Sequence, residues 1–321
     1  MGGFGFIGKH LLDMLTESHS LIVLSDIEGA QRAPHFRPGS QPVVEVGDIT
    51  DERWVREVML KHPPNATVHL AALTGVKRCN DNPSLAFSTN VLGTYNVITG
   101  CVACGCRLIF ISSREVYGET ASSRAREDDP LVPNNVYGVT KMLAERLVTW
   151  AASKHNLDYT ILRLTNVYGP GGDQYNIQAM IRSALTERSI RVLGGNQRMN
   201  LIYVEDVADV ILRCVTDPRA SRQTFNVGSD CDMSVEEMVS KVVSLLGVPV
   251  EVRKGPMRAG ETLNFRPDLD KLEKTLGYRP ATPFEVGLRR TIEWYMEHLR
   301  RTDARRKVGG NDLNKAEWKS G

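Results

Sequence analysis

The stretch Gly2-Gly3-Phe4-Gly5-Phe6-Ile7-Gly8 decides the fold of this chain, and Asp26 follows the next apolar run, Leu21–Leu24. Glycines three residues apart let the backbone approach a pyrophosphate, and they aim the N–H groups of a helix N-terminus at it. A carboxylate after the following strand accepts hydrogen bonds from both adenosine ribose hydroxyls and repels a 2′-phosphate. The sequence therefore predicts a dinucleotide site that favours NAD over NADP. Its predicted cofactor-binding residues in this part of the chain are Gly2, Gly5, Gly8 and Asp26.

A phosphate-binding glycine loop normally follows a β-strand, but this sequence begins inside the loop. The first strand of the predicted sheet is therefore expected to be missing. Its two neighbours would face a gap of about one strand spacing, ~4.8 Å, on each side. We expect a chain with this gap to be less stable, and to bind NAD more weakly, than a chain extended upstream.

Short apolar runs alternate with longer helical stretches over the first 165 residues, which predicts a parallel sheet with helices on both faces. The runs are continuously apolar, as strands buried on both sides require. They are Leu21–Leu24, Thr67–Leu70, Leu108–Ile111 and Tyr159–Leu162. The helices predicted between them are Lys9–Leu15, Glu52–Leu60, Ser84–Val102 and Tyr137–Ser153.

From about residue 166 the pattern is less regular, and the run Gly169–Gly172 breaks the chain. Residues 301–321 are polar, show no apolar period and include Gly309-Gly310, so they are predicted to be disordered. The helices predicted in this half lie near Ile177–Glu187, Val204–Asp217, Val235–Leu246, Asp268–Leu276 and Phe284–Leu299.

The composition argues against several classes of protein. The 321 residues include 40 Lys and Arg against 38 Asp and Glu, whereas a nucleic-acid-binding surface would show a basic excess. No apolar run approaches the ~18 residues that a bilayer span needs, and no secretory signal is apparent, so no membrane partner is expected. Six cysteines in a chain of this length do not form a disulfide scaffold, which predicts a reducing, cytoplasmic location.

No metal site is predicted either. Cys101, Cys104 and Cys106 are clustered, but structural zinc takes four ligands and no second pair is present. The histidines lack the spacing of a metal-binding helix, and His69 lies inside an apolar run. The three cysteines and His69 are therefore interpreted as buried structural residues.

A serine, a tyrosine and a lysine form the predicted catalytic set. Ser113 follows the run Leu108–Ile111, and Tyr137 and Lys141 lie four residues apart on one face of a predicted helix. A positive charge 4 Å away stabilises a phenolate by about 4 kcal/mol at an effective dielectric near 20, which is about three pKa units. Tyr137 is therefore predicted to take a proton from a sugar hydroxyl while hydride leaves for NAD. Ser113 is predicted to hydrogen-bond the same oxygen.

With this glycine loop and this catalytic set, the chain resembles the extended short-chain dehydrogenases/reductases, and within them the NAD-dependent nucleotide-sugar epimerases and dehydratases. The resemblance runs from Gly2 to about Tyr295. Besides the glycine loop and the Tyr137–Lys141 pair, the matching motifs are Gly47-Asp48-Ile49, His69–Ala72, Ser112-Ser113, Val116–Gly118, Arg163, Asn166–Pro170, Tyr203–Val207 and Phe225–Gly228.

The resemblance implies a doubly wound Rossmann domain and a smaller C-terminal lobe that binds the substrate. The Rossmann domain would span residues 1–165 with a return segment at about 201–229. Residues 166–200 and 230–300 would form the nucleotide-sugar lobe. Family members are usually dimeric, which implies a homodimer that pairs through the helices at 84–102 and 137–153.

The resemblance also implies roles for individual residues. Phe6 and Ile7 would lie along the pyrophosphate, and Lys141 would also hold the nicotinamide ribose. Asn166 would bond the diphosphate of the sugar nucleotide, and Arg258 would lie on its nucleotide side. The remaining implied cofactor contacts are Asp48 and Ile49 at adenine, Leu70, Ala71 and Ala72 along the cleft, and Asn90 nearby.

Two departures from the family pattern bear on the reaction. Met199 stands where family members often carry an arginine, so the diphosphate could be held instead by Arg198, Arg191 or Arg258. Dehydratases typically carry Asp-Glu after the serine or threonine, and sugar-acid decarboxylases keep the Glu. Here Arg114-Glu115 occupies these positions, so the acid partner of an elimination is absent.

The reaction favoured by these residues is a 4-epimerisation of a UDP-sugar, which needs neither acidic residue. Carbon 4 is oxidised transiently, the keto-sugar rotates, and hydride returns to the opposite face. Dehydration or decarboxylation through Glu115 is the alternative, and Glu115 paired with an arginine is the structural interpretation. A non-catalytic NAD-binding protein is a further alternative, although it would have no use for Ser113, Tyr137 and Lys141.

Overall fold

A parallel sheet organises the N-terminal half of the chain. The computed structural model describes residues 1–15, 23–27, 42–119, 124–172, 176–257 and 262–313, and every structural statement below concerns these residues. The strands of this half are β1 (Val23–Asp26), β2 (Val43–Val46), β3 (Ala66–His69), β4 (Arg107–Ser113) and β5 (Tyr159–Leu164). Its helices are α1 (Phe6–Leu15), α2 (Glu52–Lys61), α3 (Val76–Asp81), α4 (Pro83–Phe87), α5 (Gly93–Cys104) and α6 (Val136–His155).

The C-terminal half contributes one more strand to that sheet and builds a further core of its own. Its strands are β6 (Asn166–Tyr168), β7 (Ser189–Leu193), β8 (Arg198–Tyr203), β9 (Gln223–Val227), β10 (Asp232–Ser234) and β11 (Glu251–Gly255). Its helices are α7 (Asn176–Glu187), α8 (Val204–Thr216), α9 (Val235–Leu246), α10 (Asp270–Leu276) and α11 (Phe284–Leu313). β8 pairs with β6 in parallel and with β10 antiparallel, and β11 pairs with β7 in parallel.

The sheet is doubly wound, as predicted. Strands β3, β4, β5 and β9 are neighbours in that order and all run parallel. Alternate residues of β4 face opposite sides: Ile109 packs in one cluster with Leu11 of α1, and Phe110 in another with Val97 of α5. Because helices cover both faces, the strands need the continuous apolar runs that the sequence shows.

The sheet is interrupted between β1 and β3. In the described part of the chain β1 pairs only with β2, and β3 pairs only with β4. Residues Met1–Gly3 join the two parts: the Met1 carbonyl accepts from Leu70 N at 2.9 Å, and Gly2 N donates to the Ser25 carbonyl at 2.7 Å. Residues Met1–Gly3, at the start of the glycine loop, thus occupy the carboxyl end of the place that a strand between β1 and β3 would fill.

Two helix predictions need correction. The predicted helix Ser84–Val102 is three segments, because a π-helical turn, Ser88–Leu92, separates α4 from α5. Residues 301–313 of the segment predicted to be disordered instead continue α11, and its residues 314–321 lie outside the described residues. No proline interrupts this stretch, and Arg301 pairs with Glu297 one turn earlier, an arrangement that supports a helix.

Candidate active site

The glycine loop leads into α1 at the carboxyl ends of β1 and β3. Gly2 has a φ of +80°, and a Cβ there would lie 2.5 Å from the Ala71 nitrogen. A Cβ on Gly8 would lie 2.4 Å from the Gly3 carbonyl oxygen. Both positions therefore require glycine. The N–H groups of a first helical turn have no intrahelical partner, so this bare backbone fits a pyrophosphate.

The remaining loop residues continue the same turn. Gly5 N donates to the Gly2 carbonyl at 3.2 Å and so closes the loop just before α1 begins at Phe6. Ile7 is partly buried and packs against the core cluster on the α1 face of the sheet. The structure therefore places Gly5, Phe6 and Ile7 together at the N-terminus of α1, where the sequence predicts the pyrophosphate.

Asp26 connects β1 to the glycine loop. Its Oδ2 accepts from Phe4 N at 2.9 Å, and its Oδ1 accepts from Ile27 N at 2.8 Å. A carboxylate oxygen has more than one lone pair, so both oxygens keep the capacity to accept a ribose hydroxyl. Asp26 thus fixes the loop and presents a negative charge at the strand end where the sequence predicts the adenosine ribose.

The other predicted cofactor contacts follow β2 and β3. Asp48 is exposed and accepts from Thr50 N at 2.8 Å, whereas Ile49 is buried beneath Gly93. Leu70, Ala71 and Ala72 are partly buried directly after β3. In open α/β sheets, ligands bind at the carboxyl ends of the strands, and these residues all lie there.

Asn90 lies inside the protein, in the π-helical turn. Its side-chain amide donates to the Leu73 carbonyl and to Thr140 Oγ1, both at 3.0 Å, and its Oδ1 accepts from Leu73 N at 2.8 Å. Both amide protons are therefore used in contacts with protein. Asn90 joins the segment after β3 to α6, and the sequence did not predict these contacts.

The predicted catalytic residues lie on β4 and α6, which pack together. A Cβ on Gly138 would lie 2.3 Å from the Glu115 carbonyl oxygen, so the start of α6 approaches the residues after β4 very closely. Ser113 is buried and its Oγ accepts from Glu115 N at 3.2 Å, which uses a lone pair and not its proton. Tyr137 is half buried in the first turn of α6.

Lys141 is the most buried of the predicted catalytic residues. Its Nζ donates to the Ile111 carbonyl at 2.8 Å and lies 4.9 Å from the centre of the Phe110 ring. Burial lowers the pKa of Lys141 to about 8, and the nearby Glu145 carboxylate opposes that shift. Lys141 is thus held against β4, on the helix face that also carries Tyr137.

Glu115 is buried, and both its carboxylate oxygens have partners. Oε1 pairs with Arg114 Nη2 at 2.8 Å, and Oε2 accepts from Asn135 Nδ2 at 2.9 Å. The Arg114 guanidinium also lies 5.5 Å from the centre of the Phe265 ring. The pairing with arginine that the sequence suggested for Glu115 is therefore present, and Asn135 is a second partner that the sequence did not reveal.

The predicted substrate-binding residues lie on different strands, with Ser113 at the end of β4. Asn166 is partly buried at the start of β6, and its side chain donates to the Asn200 carbonyl at 3.1 Å. Arg191 is exposed on β7, where it lies opposite Arg253 of β11. Arg258 lies outside the described residues.

Met199 is buried in the core of the C-terminal half, so it presents no polar group in place of the family's arginine. Its neighbour Arg198 is engaged by Asp232, with 3.2 Å between Nε and Oδ2.

A buried polar network behind the site was not predicted. Its central residue, Arg163 on β5, donates to both carboxylate oxygens of Glu145 and, at 2.7 Å, to the Tyr117 hydroxyl. Tyr117 in turn donates to Asn226 Oδ1 at 2.7 Å. Ser112, Arg163 and Asn226 are aligned on β4, β5 and β9. Each of these three apolar strands carries a polar residue at the same register position, and this is the sequence signal that could have revealed the network.

Cys101, Cys106 and His69 lie in the protein interior, where their side chains contact other protein groups. Cys101 and Cys106 are buried, and Thr67 Oγ1 lies 3.5 Å from the sulfur of Cys106. His69 Nε2 forms a hydrogen bond with Thr94 Oγ1 at 3.1 Å, and burial lowers the pKa of its imidazole well below the usual range. Within the described ranges, no group of three or more His, Cys, Asp or Glu side chains could hold a metal ion.

The glycine loop lies at the first crossover of a doubly wound sheet, and the serine, tyrosine and lysine lie at the end of β4 and the start of α6. This combination is typical of the short-chain dehydrogenase/reductase fold. The profile of the NAD dependent epimerase/dehydratase family matches residues 1–228. The chain belongs to this family, and its cofactor is NAD.

Curated relatives within the family differ in their reactions. The chain is 28% identical over 304 residues to a UDP-glucose 4-epimerase of Mycolicibacterium smegmatis, covering 92% of this chain and 96% of that protein. It is 29% identical over 315 residues to a UDP-N-acetyl-alpha-D-glucosaminuronate decarboxylase of Bacillus cytotoxicus, with the same two coverages. The family is therefore established, and the specific reaction is not.

A solved structure has the same fold. The UDP-glucose 4-epimerase of Thermus thermophilus in complex with NAD superposes with a TM-score of 0.85 at 25% identity, covering 92% of this chain and 97% of that one. No helix in the described part of our chain is both long and apolar enough to cross a membrane.

Proposed function

We propose that this chain is a nucleotide-sugar 4-epimerase that acts on a UDP-sugar. The observation that carries the proposal is the pairing of Glu115 with Arg114 and Asn135, because it gives this carboxylate the structural role that the sequence offered as the alternative to catalysis. Dehydration and decarboxylation in this family would use that carboxylate, whereas epimerisation at carbon 4 needs proton transfer only at the carbon-4 oxygen.

The side chains at the end of β4 and the start of α6 supply that proton transfer. When bound, NAD would supply the hydride chemistry, as the acceptor and later the donor of hydride at carbon 4. In the proposal Tyr137 removes the proton from the carbon-4 hydroxyl and later gives it back, because the Lys141 charge stabilises its phenolate. The Ser113 hydroxyl, whose proton is not used by its bond to Glu115, donates to the same oxygen.

The glycine loop and Asp26 would hold NAD, with Gly2, Gly5, Phe6, Ile7 and Gly8 at the pyrophosphate. The steric requirement for glycine at two of these positions supports this assignment. Asp48, Ile49, Leu70, Ala71 and Ala72 would line the rest of the cleft. Asn166, Arg191 and Arg258 would contribute to binding the diphosphate of the substrate.

The chain is also proposed to form a cytoplasmic homodimer through α4, the π-helical turn, α5 and α6. All six cysteines lie in the described residues and are free thiols, which fits a reducing compartment. The helix face carries large exposed apolar side chains, and a surface of this kind is typical of an interface. They are Leu85, Phe87, Leu92, Tyr95 and Trp150.

The reaction can be tested by product analysis. We would incubate the protein with UDP-glucose, UDP-N-acetylglucosamine, UDP-glucuronate and dTDP-glucose, and follow the products by NMR. Inversion at carbon 4 supports the proposal; loss of water or of carbon dioxide contradicts it. Absence of any turnover together with a retained NAD complex would favour a non-catalytic NAD-binding protein.

Two variants assign the roles. Tyr137→Phe should reduce turnover by about 10²-fold or more, the lower end of a general-base contribution. Glu115→Gln keeps the shape of the side chain and should leave turnover within about threefold. A loss with Glu115→Gln comparable to that with Tyr137→Phe would favour the dehydratase or decarboxylase alternative.

A further inference from the structure

The buried carboxylate of Glu145 lies on α6 one helical turn after Lys141. Its side chain is 5% exposed and accepts from Arg163 Nε at 3.1 Å and from Arg163 Nη2 at 2.8 Å. It also accepts from Ser112 Oγ at 2.5 Å. A carboxylate buried this deeply is stable only when it is paired and hydrogen-bonded, and Glu145 meets both conditions.

Two hydrogen bonds cross between α6 and β4 at this point. Lys141 on α6 donates to the carbonyl of Ile111 on β4, and Ser112 on β4 donates to Glu145 on α6. Ser113 follows directly in the strand, and Tyr137 lies one turn before Lys141 in the helix. The two bonds therefore fix the helix that carries the proposed base against the strand that carries the proposed serine.

We propose that Glu145 is a positioning residue for the reaction: its buried carboxylate holds Lys141 in the charged form and locks α6 onto the end of β4. The inference rests on the proposed function, in which the Lys141 ammonium stabilises the Tyr137 phenolate. Glu145 itself contacts neither reacting atom.

The charges around Lys141 support this role. Burial lowers the pKa of Lys141 to about 8, while Glu145 on α6 and Cys79 on α3 act in the opposite direction. The Cys79 thiol is neutral near pH 7, because burial raises its pKa to about 11. His69 on β3 is neutral too, and Arg163 on β5 is a cation. Among these groups Glu145 is thus the one anion that faces Lys141.

Replacing Glu145 should therefore make Lys141 lose its proton at lower pH. In Glu145→Gln, Lys141 keeps the nearby Arg163 cation and loses the anion. In the double variant Glu145→Gln/Arg163→Met both charges are gone, and no unpaired charge of that ion pair is left buried. The expected order of Lys141 titration midpoints is wild type, then the double variant, then Glu145→Gln as the lowest.

The midpoints can be measured without turnover. Protein labelled with 13C at the lysine Cε is titrated by NMR, and the Lys141 signal is assigned by its loss in Lys141→Met. We expect Glu145→Gln to lower the midpoint by about one pH unit or more, the size of shift that a nearby opposite charge causes. The control is Ser112→Ala, which removes one hydrogen bond to Glu145 but no charge, and should shift the midpoint much less.

The alkaline limb of kcat/KM should move to lower pH with the Lys141 midpoint. A midpoint that does not fall in folded Glu145→Gln, or that falls equally in Ser112→Ala, overturns the inference while leaving the proposed function intact. If the double variant alone folds, a midpoint equal to that of the wild type overturns the inference as well. A midpoint that falls without any movement of the kcat/KM profile upholds the effect of Glu145 on Lys141 and contradicts the proposed role of Lys141.

Discussion

At the scale of single residues, the surroundings of a side chain decide its role more than its type does. Glu115 and Glu145 are both buried carboxylates paired with arginine, at 2.8 Å in each case. Glu115 has Asn135 as its second partner, whereas Glu145 has Ser112 and faces Lys141. The sequence directed attention to Glu115 because it follows the serine motif, and it gave no such signal for Glu145.

Asp26 offers a test of the cofactor site at this scale. Asp26→Asn keeps the shape of the side chain but removes the charge that is proposed to accept both ribose hydroxyls. We expect NAD to bind about tenfold more weakly, which corresponds to the ~1.5–3 kcal/mol of a hydrogen bond to a charged group, partly compensated by the amide. The discrimination between NAD and NADP should also fall, because the repulsion of the 2′-phosphate is gone.

Both Kd values can be measured by calorimetry on the wild type and the variant. Asp48→Asn is the matched control, since Asp48 is exposed and its neutralisation should leave the preference for NAD unchanged. An unchanged ratio of the two affinities in Asp26→Asn would show that this carboxylate only fixes the glycine loop.

At the scale of secondary-structure elements, the close approach of α6 to β4 is what brings the site together. Ala at Gly138 would place its Cβ 2.3 Å from the Glu115 carbonyl, so α6 would have to move away from the end of β4. We expect Gly138→Ala to lower turnover by about 10²-fold, the cost of a displacement near 1 Å, and to lower the melting temperature as well.

Gly105→Ala separates misplacement from general strain. Gly105 ends α5 with a φ of +65° and has open space around its Cα, so Ala there is strained by about 1–2 kcal/mol without displacing α6. This control should lower the melting temperature and retain turnover. Equal turnover in the two variants would contradict the role that we assign to the approach of α6.

The elements also show where sequence patterns stop being informative. The continuously apolar runs identified β3, β4 and β5, because a strand buried on both faces tolerates little else. The π-helical turn at Ser88–Leu92 has no comparable signal. It depends on the contact of Asn90 with Leu73 and Thr140, residues that are distant in sequence and meet only in the folded chain.

The interruption between β1 and β3 leads to a prediction about an added strand. An upstream extension of about five apolar residues should pair with both neighbours, raise the melting temperature and strengthen NAD binding, because it anchors the glycine loop. It would also turn the Met1 amine into a peptide group. Burial lowers the pKa of this amine to about 6, from an ordinary value of 8.0.

The stability gained by the extension should depend on pH, because folding lowers the pKa of the Met1 amine. The folded state disfavours the charged amine, so its cost is fully present below about pH 6 and is gone above about pH 8. The advantage of the extended chain should therefore be larger at pH 5.5 than at pH 8.5. Equal melting temperatures and equal NAD affinities in the two chains would contradict the prediction, and an extension of equal length rich in Gly and Ser is the control.

For the whole molecule, the N-terminal half was more predictable than the C-terminal half. The proposed NAD site uses glycines and an aspartate, and the proposed catalytic set uses a serine, a tyrosine and a lysine; each of these leaves a local signal in the sequence of this half. The small sheets of the C-terminal half are held by contacts between distant segments, as when β8 pairs with both β6 and β10. The short strand β11 is exposed along most of its length, so it has no apolar pattern to find.

The exposed apolar face on α4, the π-helical turn, α5 and α6 is the proposed dimer interface. Phe87, Leu92, Tyr95 and Trp150 are between 37% and 50% exposed on one helix face, and a stable interface buries about 1,200 Å² or more in total. We expect light scattering to give twice the chain mass of 35.7 kDa, and Tyr95→Glu/Trp150→Glu to give the monomer. A charge buried against an apolar partner surface costs more than the contact it replaces.

Val286→Glu is the control for the dimer, because Val286 has a similar exposure, 43%, on α11 and lies outside this face. It should remain dimeric. The Asn90 contacts join the π-helical turn of the proposed interface to α6, which carries Tyr137 and Lys141. Tyr95→Glu/Trp150→Glu should therefore lower turnover as well as the particle mass measured by light scattering. A wild-type monomer with full turnover would instead leave the apolar face without a role in the reaction.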